Sequence, residues 1–207
     1  VNDIGRGEPC ILLGTQMLTK GHHFPGVSLV AVIDADALLF SADFRGEERM
    51  AQLLTQVAGR AGRADVPGQV ILQTHYPDHP SLLAMLNTSY AEQAREMLKR
   101  RQESGMPPAG QLVILRTDCA NADHGEQFLQ NLRQQSARHL PSDAVLIGPL
   151  PSPMQRRAGK YRCQLLLTAS SRRAAQAAAT TLVAKAEEIP ARHGLKWSID
   201  IDPQDVF

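Results

Sequence analysis

"AVLIGPLPSPMQRRAGKYRCQLLLT", Ala144 to Thr168, decides the fold of the second half of this chain. Its two apolar runs, AVLIGPL and YRCQLLLT, are short and aliphatic and flank a basic segment, so they read as neighbouring strands joined by a hairpin. Working outward, LVILRTD (Leu112–Asp118) reads as a strand and Ala122–His139 as a helix before the hairpin. Ser171–Arg192 reads as a helix and KWSIDID (Lys196–Asp202) as a strand after it. The resulting order, β-α-β-β-α-β, predicts a ferredoxin-like antiparallel sheet with both helices on one face. Trp197 falls in the last strand and is assigned to the core. There is no internal repeat, and the alanine-rich tract RRAAQAAATTLVAKAEE is a strong helix former.

Upstream, Asp78–Ser104 reads as mostly helical, with Pro80 near its start and Lys99, Arg100 and Arg101 near its end, where cations suit the helix macrodipole. Gly105–Pro108 (GMPP) then stops it and marks a domain boundary. Further upstream, CILLG, VSLVAVID and GQVILQTHY are short apolar runs that suit buried parallel strands. Glu47–Ala64 reads as a helix whose apolar stripe is Met50, Leu53, Leu54, Val57 and Ala61. The chain is thus expected to be α/β in three parts: residues 1–76 a βαβ-type layer, 77–106 a helical connector and 107–207 the ferredoxin-like domain.

With 207 residues the chain has room for one large or two small domains. Its start at Val1, without methionine, reads as a sequence already in progress. No apolar run approaches the roughly 20 residues of a membrane span and no signal segment opens it, so the cytoplasm is expected and a membrane partner is not. The formal net charge of +1 excludes a wholly basic nucleic-acid binder and confines any phosphate-binding surface to a local patch. Cys10, Cys119 and Cys163 are too scattered for a zinc site or a disulfide framework, so no metal site is expected within the chain.

One helical segment breaks the local rules. QVAGRAGR, Gln56–Arg63, puts two glycines where alanine would be worth roughly 1 kcal/mol more in a helix interior. At 100° per residue Gln56, Arg60 and Arg63 fall within about 60° of one another. Two fork-shaped guanidiniums beside a close-approach surface suit the developing charge of a polyphosphate. The alternative is a solvated basic face paired with nearby acids.

That segment follows GTQMLTKGHHFPGVSLVAVIDAD, Gly14–Asp36. In order and separation the two resemble motifs V and VI in the second RecA-like lobe of superfamily 2 helicases. The resemblance narrows with ILLGTQMLTKGHHFP, LFSADFR, QLLTQVAGRAGRA, QTHYPDHP, the PP boundary, GPLPSP with YRCQLLL, and the terminal W-x-I-D-I-D-P. Together, over essentially the whole chain, these are similar to the C-terminal part of the PriA family, the primosomal protein N′ helicases of replication restart.

The resemblance implies a partial RecA-like lobe followed by the family's C-terminal domain. The parent protein would recognise stalled or branched forks, unwind DNA 3′ to 5′ with ATP and Mg, and start primosome assembly with other primosome proteins. Arg60 and Arg63 would then be arginine fingers supported by Gln56, while Thr15, Gln16 and Gly21 would couple nucleotide to DNA. His23 stands where related motifs often carry aspartate, so no ribose contact transfers to it; His22 and His23 equally read as ordinary loop histidines. There is no G-x-x-x-x-G-K-[ST] loop and no D-E-x-H motif, and the family's zinc-binding cysteines are missing. The chain alone is therefore expected not to hydrolyse ATP, and an ATP-independent binding module is the alternative reading.

In the second domain the resemblance implies engagement of branched DNA. The segment MQRRAGKYR offers Arg156, Arg157, Lys160 and Arg162 to phosphates and Tyr161 to a base or sugar. The other reading is a solvated charged loop with Tyr161 in the core. Arg172 and Gln176, one turn apart at the start of the second helix, correspond to family positions that bind the acidic tail of single-stranded DNA-binding protein. An ordinary exposed helix face is the alternative there.

Overall fold

A computed structural model describes residues 10–14, 27–59, 68–190 and 194–206. It is a mixed α/β structure with two sheets. The chain divides into two compact units, Val1–Glu96 and Met97–Phe207, a division that falls inside the helical stretch expected between the domains.

In the first unit β1 (Leu29–Val32) and β2 (Gln69–Leu72) pair in parallel, and between them lie α1 (Asp36–Leu39) and α2 (Gly46–Ala58). Met50, Leu53, Leu54 and Val57 are buried together as the helical spacing predicts, against Val30, Val32, Val70 and Leu72 of the strands. The alternate strand positions face outward, leaving Leu29 52% and Ile71 46% exposed. The expectation of strands buried on both faces is corrected accordingly. So is the expectation of a strand at CILLG: Cys10–Gly14 carries no strand, and Ile11 is 91% exposed. A parallel strand needs a paired, covered neighbour on both sides of the sheet to satisfy its backbone and its side chains, and no described strand pairs with this segment.

The helix expected to reach Ala64 is described only to Ala58, with Gly59 as its C-cap donating its backbone N–H to the Thr55 carbonyl. Gly59 is therefore a terminal residue, where glycine costs little, and not the helix-interior glycine of the sequence reading. Among the described residues a Cβ built there would meet its own helix's carbonyls, at 3.4 and 3.7 Å. Ala61 lies outside the described residues.

The long helix expected over Asp78–Ser104 is two helices, α3 (Pro80–Asn87) and α4 (Tyr90–Glu103). The break has a local cause legible as S-x-x-E: Ser89 Oγ accepts from the Glu92 N–H while the Glu92 carboxylate accepts from the Ser89 N–H at 2.9 Å.

The second unit holds β3 (Gln111–Cys119), α5 (Ala122–Ser136), β4 (Ala144–Arg157), β5 (Lys160–Ala169), α6 (Arg172–Glu188) and β6 (Lys196–Ile201). The β-α-β-β-α-β order is the one the sequence predicts, and the strands lie β4-β5-β3-β6 with every neighbouring pair antiparallel. β4 runs further than AVLIGPL and absorbs PSPMQRR across two register shifts. Leu115, Leu129, Leu165, Leu167 and Leu182 fill the core between sheet and helices, with Trp197 packed at its margin. The buried face of α6 is mostly alanine (Ala174, Ala175, Ala178, Ala179), which lets that helix lie close to the sheet. Gly125 does the same for α5, because a Cβ there would come within 2.8 Å of Thr117 Oγ1. Both helices start on side-chain caps: Asn121 accepts from the Asp123 N–H and Ser171 from the Ala174 N–H. No helix among the described residues is long and apolar enough to cross a membrane.

Candidate nucleic-acid interface

The β4–β5 hairpin closes through two residues. Ala158 at φ 48° and Gly159 at φ 78° form the left-handed pair that matches strand twist in a two-residue turn. Register then fixes the basic side chains: Arg157 pairs with Lys160, and Arg156 with Tyr161. Since successive residues of a strand face opposite sides, the hairpin's charges divide into two sets.

On the helix side, Arg156 stacks its guanidinium over the Tyr161 ring, 5.2 Å from the centroid. Tyr161 remains partly exposed at 36%. Arg157 and Lys160 lie on the other side, Arg157 exposed and Lys160 half-buried. Arg162 shares that side but its side chain is only 10% exposed, and its Nε sits 3.3 Å from Asp118 Oδ1. Asp118 in turn pairs with Lys196 on β6, so Arg162, Asp118 and Lys196 form one row across three strands. Arg116, two residues before Asp118, faces inward along the same side. Its Nη2 donates to the Asp205 carbonyl at 3.0 Å and its Nη1 lies 3.4 Å from Asp200 Oδ2.

Arg172 and Gln176 are both exposed at the start of α6. Gln176 also lines a groove of about 580 Å³ between α6 and β6 with Val183, Ile199 and Ile201. In the first unit Gln56 is half-buried on α2. Arg60, Arg63, Thr15, Gln16, Gly21, His22 and His23 lie outside the described residues, so no side-chain geometry is assigned to them.

Two features escape sequence reading. Lys196 and Asp118 join the hairpin's basic set only through strand register, a relationship across more than thirty residues of sequence in each case. At the C-terminal ends of β1 and β2, Asp36 gathers the Thr74 hydroxyl at 2.5 Å, the His75 backbone N–H at 3.1 Å and His75 Nδ1 at 2.8 Å. The Thr74 hydrogen bond, followed by those of His75, holds the Asp36 carboxyl below its usual range.

The family model described as "Primosomal protein N C-terminal domain" matches residues 102–204. The replication restart protein PriA of Haemophilus influenzae is 43% identical over 206 residues, which is 100% of this chain and 28% of that protein. The PriA of Synechocystis is 43% identical over 162 residues, 78% of this chain and 20% of the relative. That of Bacillus subtilis is 36% identical over 163 residues, 79% of this chain and 20% of the relative. The chain thus spans between a fifth and somewhat over a quarter of the length of these relatives.

Proposed function

The chain belongs to the PriA family of replication restart proteins, corresponding to the C-terminal part of its relatives, and from that premise we propose that it is the DNA-engaging C-terminal part of a fork-recognising 3′-5′ helicase. The observation that carries this reading is the two-residue hairpin that gathers Arg156, Arg157 and Lys160 at one end of the sheet of the second unit, with Arg156 and Arg157 exposed. Exposed cations gathered at a tight turn suit phosphate contact.

In the parent protein ATP hydrolysis, with Mg neutralising the phosphate charge, would supply the energy for unwinding. Arg60 and Arg63, with Gln56, would act toward the γ-phosphate as fingers reaching a nucleotide held elsewhere, and Thr15, Gln16 and Gly21 would couple that state to DNA. This chain carries neither a phosphate loop nor a D-E-x-H motif, so its own residues do not fit a nucleotide by themselves. It is therefore proposed to be silent as an ATPase alone. Among the described residues no three His, Cys, Asp or Glu side chains gather to hold an ion. By itself the chain would act as an ATP-independent module for branched DNA. Arg172 and Gln176, with the groove beside them, would receive the acidic tail of single-stranded DNA-binding protein, and other primosome proteins would join on the same platform.

The test is binding of the purified chain to labelled forked DNA across a salt series, with Arg156→Ala/Arg157→Ala in parallel. Salt-dependent affinity that weakens in the double variant supports the reading. Binding that is absent in the wild type, or unaltered in the variant, overturns it.

A further inference from the structure

We propose that DNA lies at the hairpin end of the sheet face opposite α5 and α6, held through its phosphodiester backbone by Arg157, Lys160 and Lys196, with Asp118 as a built-in counterweight that holds Arg162 back. The inference rests on the DNA-binding reading above and names the surface and the residues.

Strand parity assigns the face. Leu165 and Leu167 of β5 point to the helices, so Lys160, Arg162 and Gln164 point away from them. Register carries the assignment across the sheet: Arg157 joins Lys160, and Asp118 and Lys196 join Arg162. Two adjacent rows at the hairpin end of one face therefore hold four cations and one carboxylate, a local excess of three positive charges in a chain whose formal net charge is +1. Arg157 and Lys196 are exposed at the outer strands β4 and β6. Three strand spacings separate those strands, about 14 Å, enough for a nucleic-acid backbone to cross this end of the sheet, beside the buried Leu112, Ile114, Arg116 and Gln164 of the same face, and meet a cation at each side.

The same parity says what kind of contact this is. Tyr161, the one aromatic of the hairpin, lies on the helix side with the Arg156 guanidinium over its ring. The proposed face has no aromatic platform at its basic end, so recognition runs through phosphates and is indifferent to base sequence. Arg162 contributes least while Asp118 is ionised, since it is nearly buried and faces that carboxylate at 3.3 Å.

The experiment uses the 207-residue chain and forked DNA read by fluorescence anisotropy over a salt series, with single variants Lys196→Ala, Arg157→Ala, Arg156→Ala and Asp118→Asn, each checked for native circular dichroism. Lys196→Ala and Arg157→Ala are expected to weaken binding roughly two- to five-fold and to lower the slope of log K against log salt by about 1 each. Asp118→Asn is expected to tighten binding several-fold, a gain that a merely structural role for Asp118 would not give. Arg156→Ala is expected to lower the slope less than Lys196→Ala or Arg157→Ala does, since its guanidinium lies over the Tyr161 ring on the helix side.

If Lys196→Ala and Asp118→Asn bind as the wild type while Arg156→Ala weakens binding, DNA sits on the helix side; the inference falls and the functional reading stands. If the wild-type chain fails to bind, or no hairpin variant changes binding, both fall together.

Discussion

Arg162 Nε lies 3.3 Å from Asp118 Oδ1, and the two residues are direct partners across β3 and β5. The sequence offers Arg162 as one more cation of a basic loop, but with its side chain 10% exposed it is part of the sheet's own structure. Arg162→Ala is therefore expected to destabilise the second unit by about 1–3 kcal/mol, the range for losing a nearly buried charge-assisted contact and its packing. The salt slope of DNA binding should stay at its wild-type value. Urea denaturation and the anisotropy series on the same preparation separate the two effects.

The hairpin turn carries a correctable strain. Ala158 sits at φ 48°, a left-handed conformation that costs a residue with a Cβ about 1 kcal/mol, and it precedes Gly159 at φ 78°. Asn-Gly is the favoured pair for this turn, so Ala158→Asn is expected to stabilise by about 0.5–1 kcal/mol while leaving DNA binding intact. A urea midpoint that does not rise would show that the turn does not keep this geometry in solution.

What was legible in the sequence follows the range of the physics. The β-α-β-β-α-β order could be read because short apolar runs and amphipathic helices are local patterns, as in LVILRTD and the buried alanine face of α6. The stripe Met50, Leu53, Leu54 and Val57 was legible for the same reason. Cys10–Gly14 was misread because an apolar run specifies a strand only where another strand pairs with it. The break between α3 and α4 was written in Ser89 and Glu92 and passed over. The division of the basic hairpin between two faces, and the addition of Asp118 and Lys196 to one of them, depends on register between distant strands. No local pattern encodes that pairing.

The first unit has its own buried charge. Asp43, whose side chain is wholly buried, accepts from the Arg45 backbone N–H at 3.0 Å and pairs with Arg49 at 3.0 Å, tying the turn before α2 to the helix. Asp43→Asn keeps the shape and removes the charge. It is expected to destabilise this unit by about 2–3 kcal/mol, because the wholly buried carboxylate gives up its charge-assisted contact with Arg49. Proteolysis between the units followed by hydrogen exchange on α2 would localise the effect; unchanged protection there would refute the assignment.

Asp36 gives the first unit an acid-dependent increment. Its carboxyl is held below its usual value first by the Thr74 hydroxyl and then by His75, so its folded pKa lies below its unfolded one. The stabilisation is complete above the unfolded value and is lost as pH falls through the folded one. Stability measured from neutral pH down through the carboxylate range should therefore decline less steeply in Asp36→Asn than in the wild type. Parallel curves would remove Asp36 from the acid transition.

The three thiols should separate by reactivity. Cys10 is exposed, Cys119 is 2% exposed, and Cys163 lies half-buried beside it on the helix face of the sheet. Burial, with Cys119 and then Glu126 nearby, pushes the Cys163 thiol above its ordinary pKa and so reduces its thiolate at neutral pH. A disulfide reagent that reads thiolate release is expected to titrate one thiol per native chain quickly and the other two only as the second unit opens. Cys10→Ser should abolish the fast phase without altering the slow one. Two fast thiols in the native chain would mean that β5 near the hairpin opens readily, and the hairpin geometry on which the DNA-binding reading depends would be in question.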